Sequence, residues 1–388
     1  MQTAYFALLF ILTIIYVGVL HYLARGFSVV KKQKRFTCTP FVSVIVSAHN
    51  EEKHLPACLE HLSRQVYPAD KLEFIIVDDR SVDATAAIID RYSERDKRFK
   101  RISITDRLPD FAPKKRAIDT AIRQAQGEII LFTDADGRPG PRWVKGMMSY
   151  YDKDCQMVIG YAPYTVKPAG HLVKQILALE YLSHAAVAAA TCGLGFPVTC
   201  VGTNMSYRKQ LYMDIDGFGK YKPFISGDDD LFLTRVRESG QYTIRYATQP
   251  DTHVYNDPPR LWGQFLHQRM RYASKGFSYP SRVTAGLTAY FLFNAMMLTG
   301  LVGWIFNSDW FFPVLLSYAV KSAAEIVFMR KAAQTLNDTR FIQRIPLAQI
   351  LHIPYVVIFG LLGQFKRFRW AENSNEAAVQ KPALESNS

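Results

Sequence analysis

Asp134-Ala135-Asp136 places two carboxylates one residue apart. Beyond the end of a strand such a pair can share a divalent cation, directly or through water, and an all-oxygen donor set selects Mg²⁺ or Mn²⁺ over zinc. A cation so held can bridge two phosphates and take up charge on a departing diphosphate. Two further acidic groups flank it in the chain. Asp78-Asp79-Arg80-Ser81, with Asp83 close behind, suits either ligand binding or helix N-capping by Ser81 or Asp83. Asp228-Asp229-Asp230 offers carboxylates that can accept a proton as general base. Gln268-Arg269-Met270-Arg271-Tyr272 adds two guanidinium forks, which match a diphosphate but equally suit a basic amphipathic helix on a membrane surface. His49, in His49-Asn50-Glu51-Glu52, reads more readily as a structural histidine than as a ligand.

The elements that must position these groups alternate between strand and helix. Residues 42–47 are a β-branched run, followed by Leu55, Cys58, Leu59 and Leu62 at helical spacing. Residues 73–77 form a second strand, Ile88, Ile89 and Tyr92 mark a second helix, and 101–104 a short strand. A helix over 114–126, with Gly127 as its C-cap, precedes a strand at 128–133. This alternation predicts right-handed βαβ units and a mainly parallel sheet, an α/β fold in which ligands bind beyond the carboxyl ends of the strands. The acidic groups fall at those ends. Neither Gly-x-Gly-x-x-Gly nor Gly-x-x-x-x-Gly-Lys-Ser/Thr occurs, which removes the main support for dinucleotide and P-loop readings.

Of the 388 residues 49% are hydrophobic and 21% charged, which excludes a disordered chain, and the net charge of +13 favours anionic partners. Five cysteines without a Cys-x-x-Cys pair argue against a disulfide framework or a zinc site. The apolar residues are concentrated. Residues 1–24 hold no charged residue and are followed by Arg25, Lys31, Lys32, Lys34 and Arg35, the pattern of a retained anchor (1–25) with its C-terminal side in the cytoplasm. A C-terminal membrane region is expected over 283–369: 283–308 and 345–365 are free of charge, and 310–329 is interrupted only by Lys321 and Glu325. Those two lie four apart and can pair, or Lys321 can snorkel to the boundary. The two spans around Trp304 and Trp310 form a hairpin, and 345–365, with His352 and Pro354, is a third spanning or re-entrant segment. Residues 171–192 read as an interfacial helix, and the polar tail 371–388 as disordered.

Taken together, from about residue 40 to 277, these motifs resemble the family 2 glycosyltransferases and their GT-A nucleotide-diphospho-sugar-binding domain. Residues 44–52 resemble the family's opening strand and Asn-Glu-Glu turn, and 77–83 its Val-Asp-Asp-x-Ser-x-Asp motif. The resemblance implies donor binding by Asn50, Glu51, Asp78, Asp79, Lys114, Asp134, Gln268, Arg269, Arg271 and Tyr272, and a metal on Asp134 and Asp136. It implies an acceptor side formed by Gly202, Asn204, Asp229 and Asp230, with Asp228 as the catalytic base by its spacing to Leu231. Gly227 stands where the family usually carries an acid, and Tyr272 where it carries Trp. The implied protein is a multi-pass membrane enzyme that is metal-dependent (Mg²⁺ or Mn²⁺) and inverting. Its donor is a nucleotide-diphosphate sugar, UDP-linked by preference, and its acceptor a lipid-linked or glycan molecule at the cytoplasmic membrane face. Its partners are membrane lipids rather than nucleic acid. A processive polysaccharide synthase is the alternative within the class, and a non-catalytic membrane scaffold the alternative outside it.

Overall fold

The computed structural model describes residues 2–167, 170–240, 242–259 and 281–365, together with 263, 265, 266 and 268–270. These divide into a sheet unit, Ser28–Thr165 and Val187–Pro258, and a helical unit drawn from Met1–Phe27, Val166–Ala186 and the chain from Pro259 onward. Residues 166–186, inside the expected catalytic span 40–277, thus group with the helices.

In chain order the sheet unit contains β1 (Val42–Ala48), α2 (Leu55–Ser63), β2 (Leu72–Asp79), α3 (Thr85–Arg95) and β3 (Phe99–Ile104). Next come α4 (Pro113–Gln124), β4 (Ile129–Phe132), β5 (Arg138–Pro139), α5 (Trp143–Met148) and β6 (Cys155–Gly160). After α6 (Leu172–Gly193) it continues with β7 (Met205–Arg208), α7 (Lys209–Asp214), α8 (Asp230–Glu238), β8 (Thr243–Ala247) and β9 (Val254–Tyr255). Seven strands form a sheet in the order β3-β2-β1-β4-β7-β6-β8, with β5 and β9 pairing separately. β1 is parallel to β2 and β4, and β7 runs antiparallel between β4 and β6. β1 and β2 are buried almost throughout, as strands covered by helices on both faces must be. Leu55, Cys58, Leu59 and Leu62 of α2 pack into the same core as Val44, Phe74 and Leu131.

Register fixes the working end of the sheet. Ala48 lies beside Asp78, and Ile45 beside Phe132, so Asp134 projects beyond β4 close to the end of β1. Met205 opposes Phe132 in the antiparallel pair, which brings the short 3₁₀ turn Gly202–Asn204 alongside Thr133 and Asp134. Besides Asp78 and Asp79 at its end, β2 contains a third buried acid, Glu73. Burial alone would raise its pKa, but Lys100, Ser43 and the Gln126 N–H outweigh this and hold the carboxyl below its usual range.

Two local expectations change. α4 ends at Gln124 with Ala125 as C-cap, so Gly127 does not cap it. Gly127 instead donates its N–H to Ser43 Oγ, and a Cβ there would lie 2.5 Å from Ser43 N, so close approach to β1 is what requires glycine. The N-cap position of α3 is Ala84, although Asp83 Oδ1 accepts the Thr85 N–H at 2.9 Å and so serves the same end.

The helical unit contains α1 (Gln2–Lys31) up to Phe27, α6 up to Ala186, α9 (Ser281–Phe306), α10 (Phe311–Thr335) and α11 (Ile345–Phe365). Among the described residues five helices are long and apolar enough to cross a membrane by length and composition, α6 among them, although 61% of its apolar window is buried. α11 continues through Pro354 as one helix, without the break a re-entrant turn would need. Leu9, Phe293, Met297, Val314 and Ile353 form the unit's apolar cluster. Within it Lys321 and Glu325 pair at 2.8 and 2.9 Å, Tyr16 Oη donates to Glu325 at 2.5 Å, and Tyr290 Oη meets His352 Nε2 at 3.1 Å. Lys321 is 0% exposed and, ten residues into α10, about 15 Å along its axis, so it does not snorkel. The expected tail 371–388 lies outside the described residues.

Candidate active site

Asp134 and Asp228, from separate segments of the sheet unit, converge on one ammonium group. Lys114, in the first turn of α4 behind the N-terminal Pro113, places Nζ 2.8 Å from Asp134 Oδ1 and 3.0 Å from Asp228 Oδ2. The three residues line one narrow cleft with Ser47, Thr133 and Gly202. A second cavity, of about 420 Å³, opens at the opposite end of the strands beside Phe41 and Leu72 and contains none of the expected site residues.

The electrostatics follow from this convergence. Burial alone would lower the Lys114 ammonium's pKa, but the two carboxylates override it and push it up. Burial alone would raise Asp134, but Lys114 and the Thr203 hydroxyl, which donates to Asp134 Oδ2, hold it below the usual carboxylate range. Asp136 reaches the surface without a cation of its own. The protein around it and the Asp134 charge push its pKa up to about 6. His54, which pairs with Glu51 at 2.9 Å, is close enough to temper that rise.

Two carboxylates whose mutual repulsion is unrelieved at Asp136 fit a divalent cation. Among the described residues no group of three or more His, Cys, Asp or Glu side chains could enclose one. An ion such as Mg²⁺ is bound through one or two carboxylates while water and substrate phosphates complete its shell.

The three aspartates of 228–230 divide their work. Asp228 faces Lys114. Asp229 is the N-cap of α8 and accepts from its own following N–H at 2.7 Å and from the Gly202 N–H at 3.2 Å. Asp230 is buried and accepts from Thr199 Oγ1 and the Cys200 N–H. Asp229 and Asp230, expected on the acceptor side, fasten the 199–202 segment through these contacts. Asn204, expected there too, is enclosed. It is 0% exposed, accepts from Trp143 Nε1 at 3.0 Å and donates to the carbonyls of Tyr161 and Thr252, so its carboxamide is fully engaged in the core. Of the expected acceptor-side group Gly202 remains at the cleft. Gly227 adopts φ +85°, and a Cβ there would meet Leu231 Cγ at 2.5 Å, which explains why no acidic side chain stands at this position.

At the adjacent strand ends, Asn50 and Arg80 both have positive φ (57° and 58°). Asn50 Oδ1 accepts the Val82 N–H, Ser81 Oγ accepts the Asn50 N–H, and Thr85 Oγ1 accepts the Glu51 N–H. The Asn-Glu-Glu turn is thus stitched to the loop after β2. Asp79 is gripped by Arg80 at 2.7 Å, and Asp78 accepts the Ser81 N–H and lies 3.7 Å from Arg101. His49 Nδ1 donates to the Asp79 carbonyl at 2.5 Å, a structural contact.

Gln268 and Arg269 belong to the helical unit. Arg269, expected on the diphosphate, is 1% exposed, with Nη2 2.5 Å from Glu180 Oε2 and its guanidinium over the Phe265 ring. In this position one nitrogen of the fork, Nη2, meets a protein carboxylate. Arg271 and Tyr272 lie outside the described residues. Sequence reasoning missed two contributors. Thr203 stands between Gly202 and Asn204, where its hydroxyl was a readable signal. Lys115, 0% exposed, donates to the carbonyls of Tyr221, Phe224 and Ser226 and so braces the loop leading to Asp228, and nothing in the local sequence marks it.

A parallel-rich sheet with acidic strand ends converging on a lysine defines a GT-A domain of the nucleotide-sugar transferase class. Residues 43–216 match the family described as Glycosyl transferase family 2. It is similar to the probable glycosyltransferase YdaM of Bacillus subtilis (27% identity; 66% of this chain and 60% of the relative covered). It is also similar to glycosyltransferase AglE of Haloferax volcanii (25%; 60% and 71%). Its match thus spans 60% of the length of YdaM. The mannosyltransferase PcManGT of Pyrobaculum calidifontis, solved with GDP-Man and Mn²⁺, shares the fold at a TM-score of 0.54 and 21% identity, covering 92% of this chain and 96% of that one.

Proposed function

We propose that the chain is a membrane-embedded, metal-dependent, inverting glycosyltransferase. Its donor is a nucleotide-diphosphate sugar, UDP-linked by preference, and its acceptor a lipid-linked or glycan molecule at the cytoplasmic membrane face. The organisation is an anchor (1–25), a catalytic domain (40–277) and a membrane region (283–369). The observation that carries the reading is the convergence of Asp134 and Asp228 on Lys114, with Asp136 alongside and unrelieved.

In the proposed reaction Asp228 takes the proton of an acceptor hydroxyl as its oxygen attacks the anomeric carbon. A carbon–oxygen bond forms there, the bond to the diphosphate oxygen breaks, and its electron pair leaves with the nucleotide. Attack opposite the leaving group inverts the centre and needs no carboxylate nucleophile. Asp134 and Asp136 would hold Mg²⁺ or Mn²⁺, which supplies charge neutralisation for the departing diphosphate. Lys114 lies beside those carboxylates, where its ammonium can pass to the phosphates. Asn50, Glu51, Asp78 and Asp79 shape the nucleoside end through the stitched strand-end loops, and Arg271 and Tyr272 retain the leaving-group role the resemblance implies.

The test is nucleotide release from a panel of UDP-glucose, UDP-N-acetylglucosamine and GDP-mannose, with Mn²⁺ and membrane lipids present. Asp228→Asn should slow release by about 10²–10⁴-fold while Mn²⁺ binding persists, because general-base assistance alone is lost. Full wild-type turnover in EDTA, or near-normal turnover of Asp228→Asn, overturns the reading.

A further inference from the structure

Lys115 is a buried ammonium group that the proposed reaction does not use. Lysine is almost never fully buried unless its charge is held, and an apolar side chain would fill the same space with no charge to satisfy. Lys115 is 0% exposed, and its Nζ donates to the carbonyls of Tyr221, Phe224 and Ser226 at 2.7, 2.9 and 3.0 Å, three acceptors for a group with three donors. The rings of Phe218 and Phe224 stand 5.7 and 5.9 Å from the same nitrogen, within cation–π range. These carbonyls need donors from outside their own segment. Between the end of α7 at Asp214 and the start of α8 at Asp230 the regular structure is a single 3₁₀ turn, Gly219–Tyr221, so most backbone groups here have no ladder to join. Ala112, at the N-cap position of α4, gives its N–H to the Lys222 carbonyl at 2.8 Å. The start of α4 thus holds this backbone at Tyr221, Lys222, Phe224 and Ser226, the last of them two residues before Asp228.

Lys114 is the adjacent residue on the same turn, and neighbouring side chains on a helix point about 100° apart. One lysine therefore reaches Asp134 and Asp228 in the cleft, while the other grips the backbone that delivers Asp228. We propose that Lys115 is a positioning residue for the proposed base. It ties the 221–226 backbone to the helical turn that carries Lys114, and so sets where the Asp228 carboxylate stands relative to Asp134. Ser226 and Asp228 are separated by at most about 7 Å of chain, so a shift at the Ser226 carbonyl passes to the carboxylate. Gly227 between them, at φ +85°, is a joint with wide backbone freedom once the anchor is gone. Lys115 acts through Asp228 and does not touch the substrate. The inference rests on the proposed glycosyl transfer with Asp228 as base. It has a kinetic consequence that a general loss of packing does not have. The base takes its proton in the transition state, whereas Asp134, Asp136 and the strand-end loops serve donor binding, so a misplaced base lowers kcat and leaves the donor KM nearly unchanged.

Full-length protein in lipid nanodiscs is compared as wild type, Lys115→Met, Asp228→Asn and the double variant, with whichever panel donor the wild type hydrolyses fastest in Mn²⁺. Lys115→Met should lose about 10–100-fold in kcat, with the donor KM and the affinity for Mn²⁺–UDP each within about threefold of wild type. In the Asp228→Asn background the same change should cost at most about twofold, because no base is left to misplace. Lys115→Met within about twofold of wild-type kcat, or a loss carried mainly by KM, overturns the inference. An equal loss in both backgrounds also overturns it, since the lysine then does no more than stabilise the fold. Should Lys115→Met fail to fold, Lys115→Gln keeps two amide donors for the carbonyls. A fall of about three- to tenfold in kcat at unchanged KM, missing in the Asp228→Asn background, supports the inference, and unchanged kcat overturns it. A wild type that releases nucleotide from no donor in the panel, or an Asp228→Asn that turns over normally, contradicts the proposed function instead. Failure of this inference alone leaves both of those results as expected.

Discussion

Lys114 occupies the place between two carboxylates that a metal and a proton would each need, and its removal therefore has a counterintuitive consequence. In the metal-free protein the ammonium neutralises Asp134 at 2.8 Å and Asp228 at 3.0 Å. At an effective dielectric of about 20, a unit-charge pair 2.8 Å apart attracts by about 6 kcal/mol. The side chains of Lys114 and Asp134 keep 28% and 35% of their surface in solvent, so screening and regained hydration reduce the net effect to about 1.5–3 kcal/mol. Replacing Lys114 by Met removes both the competition for Asp134 and the repulsion of an incoming cation, at nearly constant side-chain length. Mn²⁺ binding in the absence of nucleotide should therefore tighten by about 10–100-fold, measured by following free Mn²⁺ in an EPR titration. Turnover should fall at the same time, since the phosphates lose an ammonium. Asp134→Asn serves as the control and should abolish binding in either background. If that control behaves and Lys114→Met still binds Mn²⁺ no more tightly than wild type, the lysine does not compete for the site and the reasoning fails.

Two further outcomes are expected. The Asp136 carboxyl stands at about 6 in the folded state against an ordinary 3.8, so the folded chain holds this proton more tightly than the unfolded one. The metal-free protein is therefore penalised above about pH 6 and relatively favoured as the pH falls toward 4. Asp136→Asn should raise the metal-free Tm at pH 7.5 and remove the rise that Mn²⁺ causes, and wild-type Mn²⁺ affinity should weaken as the pH drops through about 6; a flat pH profile would refute this. In the helical unit, Glu325→Leu alone should cost about 3–5 kcal/mol by stranding Lys321, whereas Lys321→Met with Glu325→Leu should recover most of that loss in detergent unfolding. Additive losses would show that the pair is not a closed unit.

Much of the fold was legible because its signals are local. A β-branched run such as 42–47, helical spacing at Leu55, Cys58, Leu59 and Leu62, and acids at the strand ends each carry their meaning within a few residues. The same holds for the uncharged stretches behind α1, α9 and α11 and for the four-residue spacing of Lys321 and Glu325. Gly127 was misread for a complementary reason. A glycine after a helix resembles a cap in sequence, and only its contact with Ser43 on another element shows that space, rather than backbone conformation, demands it.

What a polar side chain does was decided elsewhere, because it depends on which distant groups the fold brings against it. Asp228, Asp229 and Asp230 are identical in chemistry and adjacent in sequence. Tertiary structure turns the first to Lys114, makes the second a helix cap and buries the third on Thr199 and Cys200. Asn204 sits in a motif that suggests an exposed ligand group, yet Trp143, Tyr161 and Thr252 enclose it. Arg269 offers a diphosphate-matching fork in sequence, and in the fold it meets Glu180 of α6 and is withdrawn from solvent. The sequence determined which chemistry was present and at which end of the sheet. The long-range register of β4 against β7 and the packing of helices far apart in the chain decided which of those groups remain available to perform it.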